Sequence, residues 1–192
     1  MSTDKGINWS EVDDANLVGM AAGGSDKAFE QIVLRHQQKI QRICRRMLGD
    51  RIEAEEAAQD IFVKVYYHLK SYDQSRDFGV WCTAIAINDC RDRLRRRQRA
   101  TRTFRDIAEA DRASISAAQD DCDDSRVKLS MVEKALEELP EKLKEVIVLK
   151  AYGDCSYGEI AKILKIRQGT VMSRLFRARQ RLTVIMERGK LT

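Results

Sequence analysis

Residues 157–182 read YGEIAKILKIRQGTVMSRLFRARQRL, and this stretch decides the fold. Ser156-Tyr-Gly-Glu159 has the spacing of a capping box, which opens a short helix carrying Ile160, Ala161, Ile163 and Leu164. Lys165 to Gly169 reads as a tight turn. Thr170 then caps a longer helix in which Val171, Leu175, Ala178, Leu182 and Ile185 recur at the three–four spacing of a buried stripe. A short helix, a turn containing glycine and a longer basic helix are the parts of a helix-turn-helix. With the stripe facing a core, the step of about 100° per residue fixes the opposite face. That face presents Met172, Ser173, Phe176, Arg177 and Gln180, and Arg167 and Gln168 lie just before the helix start. Arg and Gln donate to base edges, Ser pairs with a base or a phosphate, and Phe touches a thymine methyl. A helix N-terminus, here around Thr170, offers backbone N–H groups to phosphate. A plain helical hairpin would explain the apolar stripe but not the coincidence of cap, turn and basic face.

Working outward, Leu129, Val132, Leu136 and Leu139 restart the helical period, and Pro140 fits the first turn of a helix with Leu143, Val146 and Ile147, ended by Gly153. Residues 127–192 thus form one small domain. Residues 100–126 hold no sustained period and are rich in Asp, Ala, Ser and Arg, which reads as a linker. Residues 13–99 read as a second helical domain, after a loose leader over 1–12. Asp13-Asp14 precedes a short helix stopped by Gly23-Gly24. Ser25-Asp26 caps a helix with Phe29, Ile32, Val33, Ile40, Ile43, Cys44 and Met47 on one side, ended by Gly49-Asp50. A third helix carries Ala54, Ala58, Ile61, Phe62, Val65 and Leu69; Ser71–Asp77 is a polar connection; a fourth helix runs from about Phe78 to Arg97. One proline, ten glycines and 34% charged residues favour helices over sheet. The expected fold is all-α: two small helical domains joined by a flexible linker, the C-terminal one a helix-turn-helix.

The 192 residues carry a formal charge of +5. Its distribution says more than its sum. Basic residues crowd into Arg91–Arg105 and Arg167–Arg181, and acidic ones into Glu53–Asp60, Asp106–Asp124 and Glu133–Glu141. Phosphate neutralisation is a short-range contact, so a nucleic-acid binder needs its positive charge local. The run Arg91–Arg99 rings most of a helix; a solvated helix end would explain it alone, and a phosphate-tracking surface holding Arg91 and Arg95 is its functional reading. Asn88, just upstream, suits an adenine edge or an unpaired base. Glu53, Glu56 and Asp60 share a helix face, but His36 and His68 are isolated from them, so a solvated or partner-binding face is expected rather than a metal site. No Gly-rich phosphate loop or nucleophile motif is visible, so neither cofactor nor catalysis is expected. Five cysteines without C-x-x-C spacing read as reduced thiols. With no signal-peptide pattern and no apolar run near the roughly 18 residues of a membrane span, the chain is expected in the cytoplasm without membrane insertion.

Two basic modules and a linker resemble a family. Ala57-Ala-Gln-Asp-Ile-Phe-Val-Lys-Val-Tyr66 is similar to the polymerase-binding helix of bacterial RNA polymerase sigma factors. Phe78-Gly-Val-Trp-Cys-Thr-Ala-Ile-Ala-Ile-Asn-Asp-Cys-Arg-Asp-Arg-Leu-Arg-Arg-Arg97 resembles their −10 reading helix. Leu139–Leu149, Tyr157–Ala161 and Gly169–Arg179 resemble their −35 reading domain, and the two-domain chain resembles the extracytoplasmic-function (ECF) subgroup. The resemblance implies roles. Glu56, Gln59, Asp60, Phe62 and Lys64 would dock on the clamp coiled coil of the polymerase; Asp60 stands where glutamate is commoner and keeps the charge. The loop from Ser71 to Phe78 would pocket a flipped base, with Trp81 supporting it and Asn88 beside the unwound −10 bases. Ser173, Phe176 and Arg177 would read the −35 major groove; Met172 replaces a usual Arg or Lys there, and Gly79-Val80 lacks a usual basic or hydroxyl residue. The implied partners are core RNA polymerase, promoter DNA and an anti-sigma factor, membrane-associated in the usual case. A competing reading is a helix-turn-helix regulator that never joins the polymerase. A third is a nucleic-acid enzyme using the Glu53–Asp60 carboxylates.

Overall fold

The computed structural model describes residues 7–107 and 132–189. Among them every regular element is helical. The N-terminal half holds α1 (Asp14–Ala22), α2 (Asp26–Leu48), α3 (Arg51–His68), a 3-10 turn (Leu69–Ser71) and α4 (Phe78–Ile107). The C-terminal half holds α5 (132–137), α6 (Glu141–Ala151), α7 (Tyr157–Leu164) and α8 (Gln168–Gly189).

The helix starts follow from short polar side chains. Asp13, Ser25 and Asp50 each accept a backbone N–H of the first turn of α1, α2 and α3, satisfying a donor that the helix itself leaves free. Gly49, at φ +79, ends α2 in a conformation that costs a side-chain-bearing residue strain. The apolar faces of α1–α4 then close on Leu17, Ile32, Ile40, Ile43, Met47, Ile61, Val65 and Ile87, all at most 1% exposed. Each such burial contributes roughly 1.5–3 kcal/mol. Trp9 and Val12 pack against this core, and Arg35 donates to the Trp9 carbonyl at 2.7 Å, so the end of the expected leader is anchored.

Two boundaries differ from expectation. α4 runs on to Ile107, ten residues past Arg97: Ala100 and the flanking arginines are good helix formers, and Thr101 bonds back to the Arg97 carbonyl at 2.9 Å. The rest of the expected linker, residues 108–126, lies outside the described residues. α8 begins at Gln168, not after Thr170, which places Thr170 inside the first turn instead of at the cap. Lys165 takes a left-handed conformation in the turn, at φ 54, and Gly169 lies in the first turn of α8.

The sequence pattern does not say how the two halves sit against each other. They share one hydrophobic cluster that runs from Leu17 through Leu48 and Ile87 to Val146, Leu149, Ile160 and Leu175. Charged groups close its rim. Arg91 of α4 grips Glu145 of α6 through two nitrogens, one at 2.7 Å. Arg46 of α2 pairs with Glu133 and lies over the Tyr152 ring, 5.2 Å from its centroid. Lys39 reaches Asp154 at 3.4 Å. Gly153 leaves no room for a side chain at this junction: a Cβ there would sit 2.7 Å from the Leu149 carbonyl oxygen of its own half and 3.1 Å from the Thr83 methyl of α4. Sequence periodicity carries no information on such packing, because each apolar stripe looks the same whichever element covers it.

Candidate nucleic-acid interface

The helix-turn-helix is built as its cap spacing requires. The Ser156 hydroxyl accepts from the Glu159 N–H at 3.3 Å, and the Glu159 carboxylate accepts from the Ser156 N–H at 2.7 Å. The bond from Ser156 holds the Glu159 carboxyl below the usual carboxylate range. Val171, Leu175 and Ala178 are buried, and this orients α8. Its outer face carries Met172 (54% exposed), Phe176 (62%), Arg177 and Gln180, with Arg167 and Gln168 exposed at its start. Ser173 and Thr170 are half-buried, and the Ser173 hydroxyl donates to the Thr170 carbonyl at 3.0 Å. Among the described residues no carboxylate lies within ion-pair distance of Arg167, Arg174, Arg177, Arg179 or Arg181. Two exposed apolar side chains among unpaired guanidiniums suit a duplex groove: the cations meet phosphates and base acceptors, and the apolar groups meet thymine methyls.

In α4, Asn88 is exposed. Ser71 is exposed too, with its hydroxyl on the His68 carbonyl at 2.8 Å. Between them the structure assembles an aromatic platform. Tyr72, Phe78 and Trp81 have ring centroids 5.0–5.5 Å apart, and His36 meets Phe78 at 5.2 Å. Phe78 is only 3% exposed, so it supports the loop from below and offers no face to a base. Tyr72 escaped the sequence reading; its signal was a lone aromatic inside a polar connection, and its hydroxyl donates to the Arg76 carbonyl. Arg91 does not stand free for phosphate. Its two bonds to Glu145 hold the guanidinium above its ordinary pKa despite burial, and a pair so committed offers little to DNA. Arg95 is exposed, 3.6 Å from Asp92.

On α3, Glu56, Gln59, Asp60 and Lys64 are exposed, as a docking face requires. Phe62 is not: at 9% exposed it faces the core, because it lies on the same side of the helix as Ala58 and Val65. The face instead carries Ile52 (69% exposed), Val63 (54%) and Tyr67 (76%), residues the sequence reading passed over. Their spacing of eleven and four residues puts them on one side with Glu56 and Asp60. An apolar stripe edged by acids is the usual form of a protein-docking helix.

Among the described residues no cluster of His, Cys, Asp and Glu could hold a metal ion, and no helix is long and apolar enough to cross a membrane. Cys44, Cys82, Cys90 and Cys155 are buried free thiols, and Cys122 lies outside the described residues. Burial pushes the Cys82 thiol up to about 12 and the Cys155 thiol to about 11. Cys90 is raised most, first by its contact with Cys44 and then by burial.

Comparison with known proteins adds the decisive observation. The family profile of Sigma-70 region 2 matches residues 32–100, and that of Sigma-70 region 4 matches residues 129–182. The ECF RNA polymerase sigma factor SigW of Bacillus subtilis (strain 168) is 34% identical over 166 residues, covering 83% of this chain and 89% of that protein. The chain belongs to the ECF RNA polymerase sigma factors. The ECF RNA polymerase sigma-E factor of Escherichia coli (strain K12) is 32% identical, with 88% of this chain and 92% of that protein covered. Among solved structures, CnrH in complex with the cytosolic domain of CnrY superposes with a TM-score of 0.68 at 27% identity, covering 91% of this chain and 97% of that one. The sigma factor RpoE of Bartonella quintana, in complex with the anti-sigma factor NepR, also gives 0.68, at 26% identity, with 84% and 98% covered. In this sigma factor region 2 therefore spans most of α2, all of α3 and most of α4, and region 4 spans α5 to α7 and α8 as far as Leu182. Sigma factors are transcription initiation factors, and the outer face of α8 and the exposed Asn88 fall inside the two matched regions.

Proposed function

We propose that α8 reads the −35 element through Arg167, Gln168, Met172, Ser173, Phe176, Arg177 and Gln180, with the Thr170 turn on phosphate. Region 2 reads −10 through Asn88 and the loop Ser71–Phe78, seated on the aromatic platform and flanked by Arg95. The α3 face of Glu56, Gln59, Asp60 and Lys64 docks on core polymerase, with Ile52, Val63 and Tyr67 supplying its apolar contact. The chain acts in the cytoplasm, performs no catalysis of its own, and is released from an anti-sigma factor to act. The observation that carries this reading is the outer face of α8, where among the described residues Arg167, Arg177, Arg179 and Arg181 have no carboxylate within ion-pair distance and the apolar side chains of Met172 and Phe176 stay in water.

The closed packing sets a condition. The −10 and −35 elements lie about 25 base pairs apart, roughly 85 Å along B-form DNA. A compact chain of this length has a radius of gyration near 16 Å. Halves that share one core do not straddle such a distance, so the Arg91–Glu145 and Arg46–Glu133 contacts open before both elements are read. Opening also frees Arg91, whose place on α4 beside Asn88 then suits phosphate. Residues 108–131 are long enough to extend to at most roughly 80 Å.

In vitro transcription with core polymerase and a promoter library tests the reading. Enrichment of one −35 and −10 pair at a fixed spacing is expected. Tight binding of duplex promoter by the chain alone, with no transcript from core polymerase, would establish the polymerase-independent regulator instead.

A further inference from the structure

Asp89 follows Asn88 on α4 and turns the other way, into the seam with α3, where it is 6% exposed. A buried carboxylate needs partners. It has two: the Lys64 ammonium of α3, and the Arg93 Nε of its own helix at 2.7 Å. Arg93 then uses Nη2 to donate to Asp60 of α3. The four residues form a rectangle of alternating charge. Asp60 and Lys64 lie one turn apart on α3, Asp89 and Arg93 lie one turn apart on α4, and an ion pair crosses the seam at each end.

Around this rectangle both helices turn apolar residues inward: Ala57, Ala58, Ile61 and Val65 on α3 and Ala86, Ile87 and Cys90 on α4 are all buried. Such contact is non-directional, so it resists separation more than rotation. A single ion pair would leave α4 a pivot. Two crossings about one turn, or 5.4 Å, apart remove it. Arg93 is suited to this because its planar fork serves two carboxylates at once, which an ammonium in the same place does not. Its bonds and the charges of Asp89 and Asp60 outweigh burial and keep the guanidinium above its ordinary pKa, so it stays charged.

We propose that Asp89 and Arg93 are positioning residues for promoter opening: by locking the rotation of α4 against α3, they aim Asn88 at the unwound −10 base. This rests on the −10 reading given to Asn88 above. It also gives the exposed ends of the rectangle a second role, since Asp60 and Lys64 belong to the polymerase-docking face. A polymerase side chain that competes for Asp60 acts on the same lock.

Two variants test this with core polymerase and a promoter carrying matched elements. Arg93→Lys keeps the charge but leaves one crossing; Asp89→Leu with Arg93→Met replaces the buried pair by apolar volume and leaves only Lys64 and Asp60 without their partners, both of them more than half exposed to solvent. The readouts are permanganate reactivity of the −10 bases, discrimination between the matched and a substituted base beside Asn88, and the unfolding midpoint. Opening should slow about threefold in Arg93→Lys and about tenfold in the double variant. Base discrimination should fall alongside, with the midpoint of Arg93→Lys unchanged. Wild-type opening and discrimination in a folded Arg93→Lys would overturn the proposal. Asn88→Ala serves as the separating control: if it also opens normally, the −10 reading of Asn88 fails, whatever the rectangle does.

Discussion

In α4, Arg91, Arg93 and Arg97 each end on a carboxylate of another helix: Glu145, Asp60 and Glu53. In α8, Arg174, Arg177, Arg179 and Arg181 have no such partner among the described residues. The two stretches look alike in sequence, both dense in arginine on a helix. Their chemistry differs. A guanidinium already bound to a carboxylate must lose that bond before it meets a phosphate, so its net gain on DNA is small. A solvated guanidinium loses only water and counterions. The C-terminal module is thus ready to bind a duplex as it stands, whereas part of the basic surface of the N-terminal module serves to hold the protein together.

The largest effect should come from breaking an internal pair. Arg91→Ala leaves Glu145 buried without its partner, and the closed chain should lose about 3 kcal/mol in chemical unfolding. Replacing both, Arg91→Met with Glu145→Leu, should recover most of it. A loss below 0.5 kcal/mol, the scatter of about that size seen at surface sites, would place Arg91 with the free arginines and erase the contrast.

The same substitution in α8 should behave in the opposite way. Arg177→Ala should leave unfolding within about 0.5 kcal/mol of wild type and cost about 1–3 kcal/mol in binding a −35 duplex. Equal affinity of wild type and variant for all −35 sequences, in a fluorescence titration at fixed salt, contradicts its reading role.

A smaller effect sharpens the comparison from the scaffold side. Ser156→Ala removes the cap that aims α8 and should cost about 1 kcal/mol of stability. Because the Glu159 carboxyl is held below its ordinary range, the unfolded chain takes up a proton there first as pH falls. The stability it contributes is present at neutral pH and is lost on acidification through the folded value. In Ser156→Ala that portion of the acid dependence should shrink in melts between pH 7 and pH 3, without vanishing, because the backbone N–H of residue 156 still donates to the Glu159 carboxylate.

Much of this was legible in the sequence for local reasons. Capping at Ser25 and Ser156 and the period of Val171, Leu175 and Ala178 depend on neighbours within a turn or two, and the structure has them where spacing places them. Asn88 and the outer face of α8 were legible for the same reason. Contacts between distant residues were not. Nothing near Arg91 in sequence points to Glu145, 54 positions away. Phe62 shares its stretch with exposed residues, and only the packing of α3 decides that it turns inward while Val63 turns out. Tyr72 and the aromatic platform likewise need the fold, because Phe78 and Trp81 reach it from the next helix. The end of α4 was misread because an arginine-rich helix end and a charged linker have nearly the same composition.

The central claim, that closed halves separate to read two elements, is tested most directly by a distance. Site-specific labels at Glu30 in α2 and Glu187 in α8, both exposed, report the separation of the halves. In the free chain one short distance is expected, and in the complex with core polymerase and promoter DNA it should lengthen by tens of ångströms, approaching the roughly 85 Å between elements. A transcribing complex that keeps the short distance would contradict it.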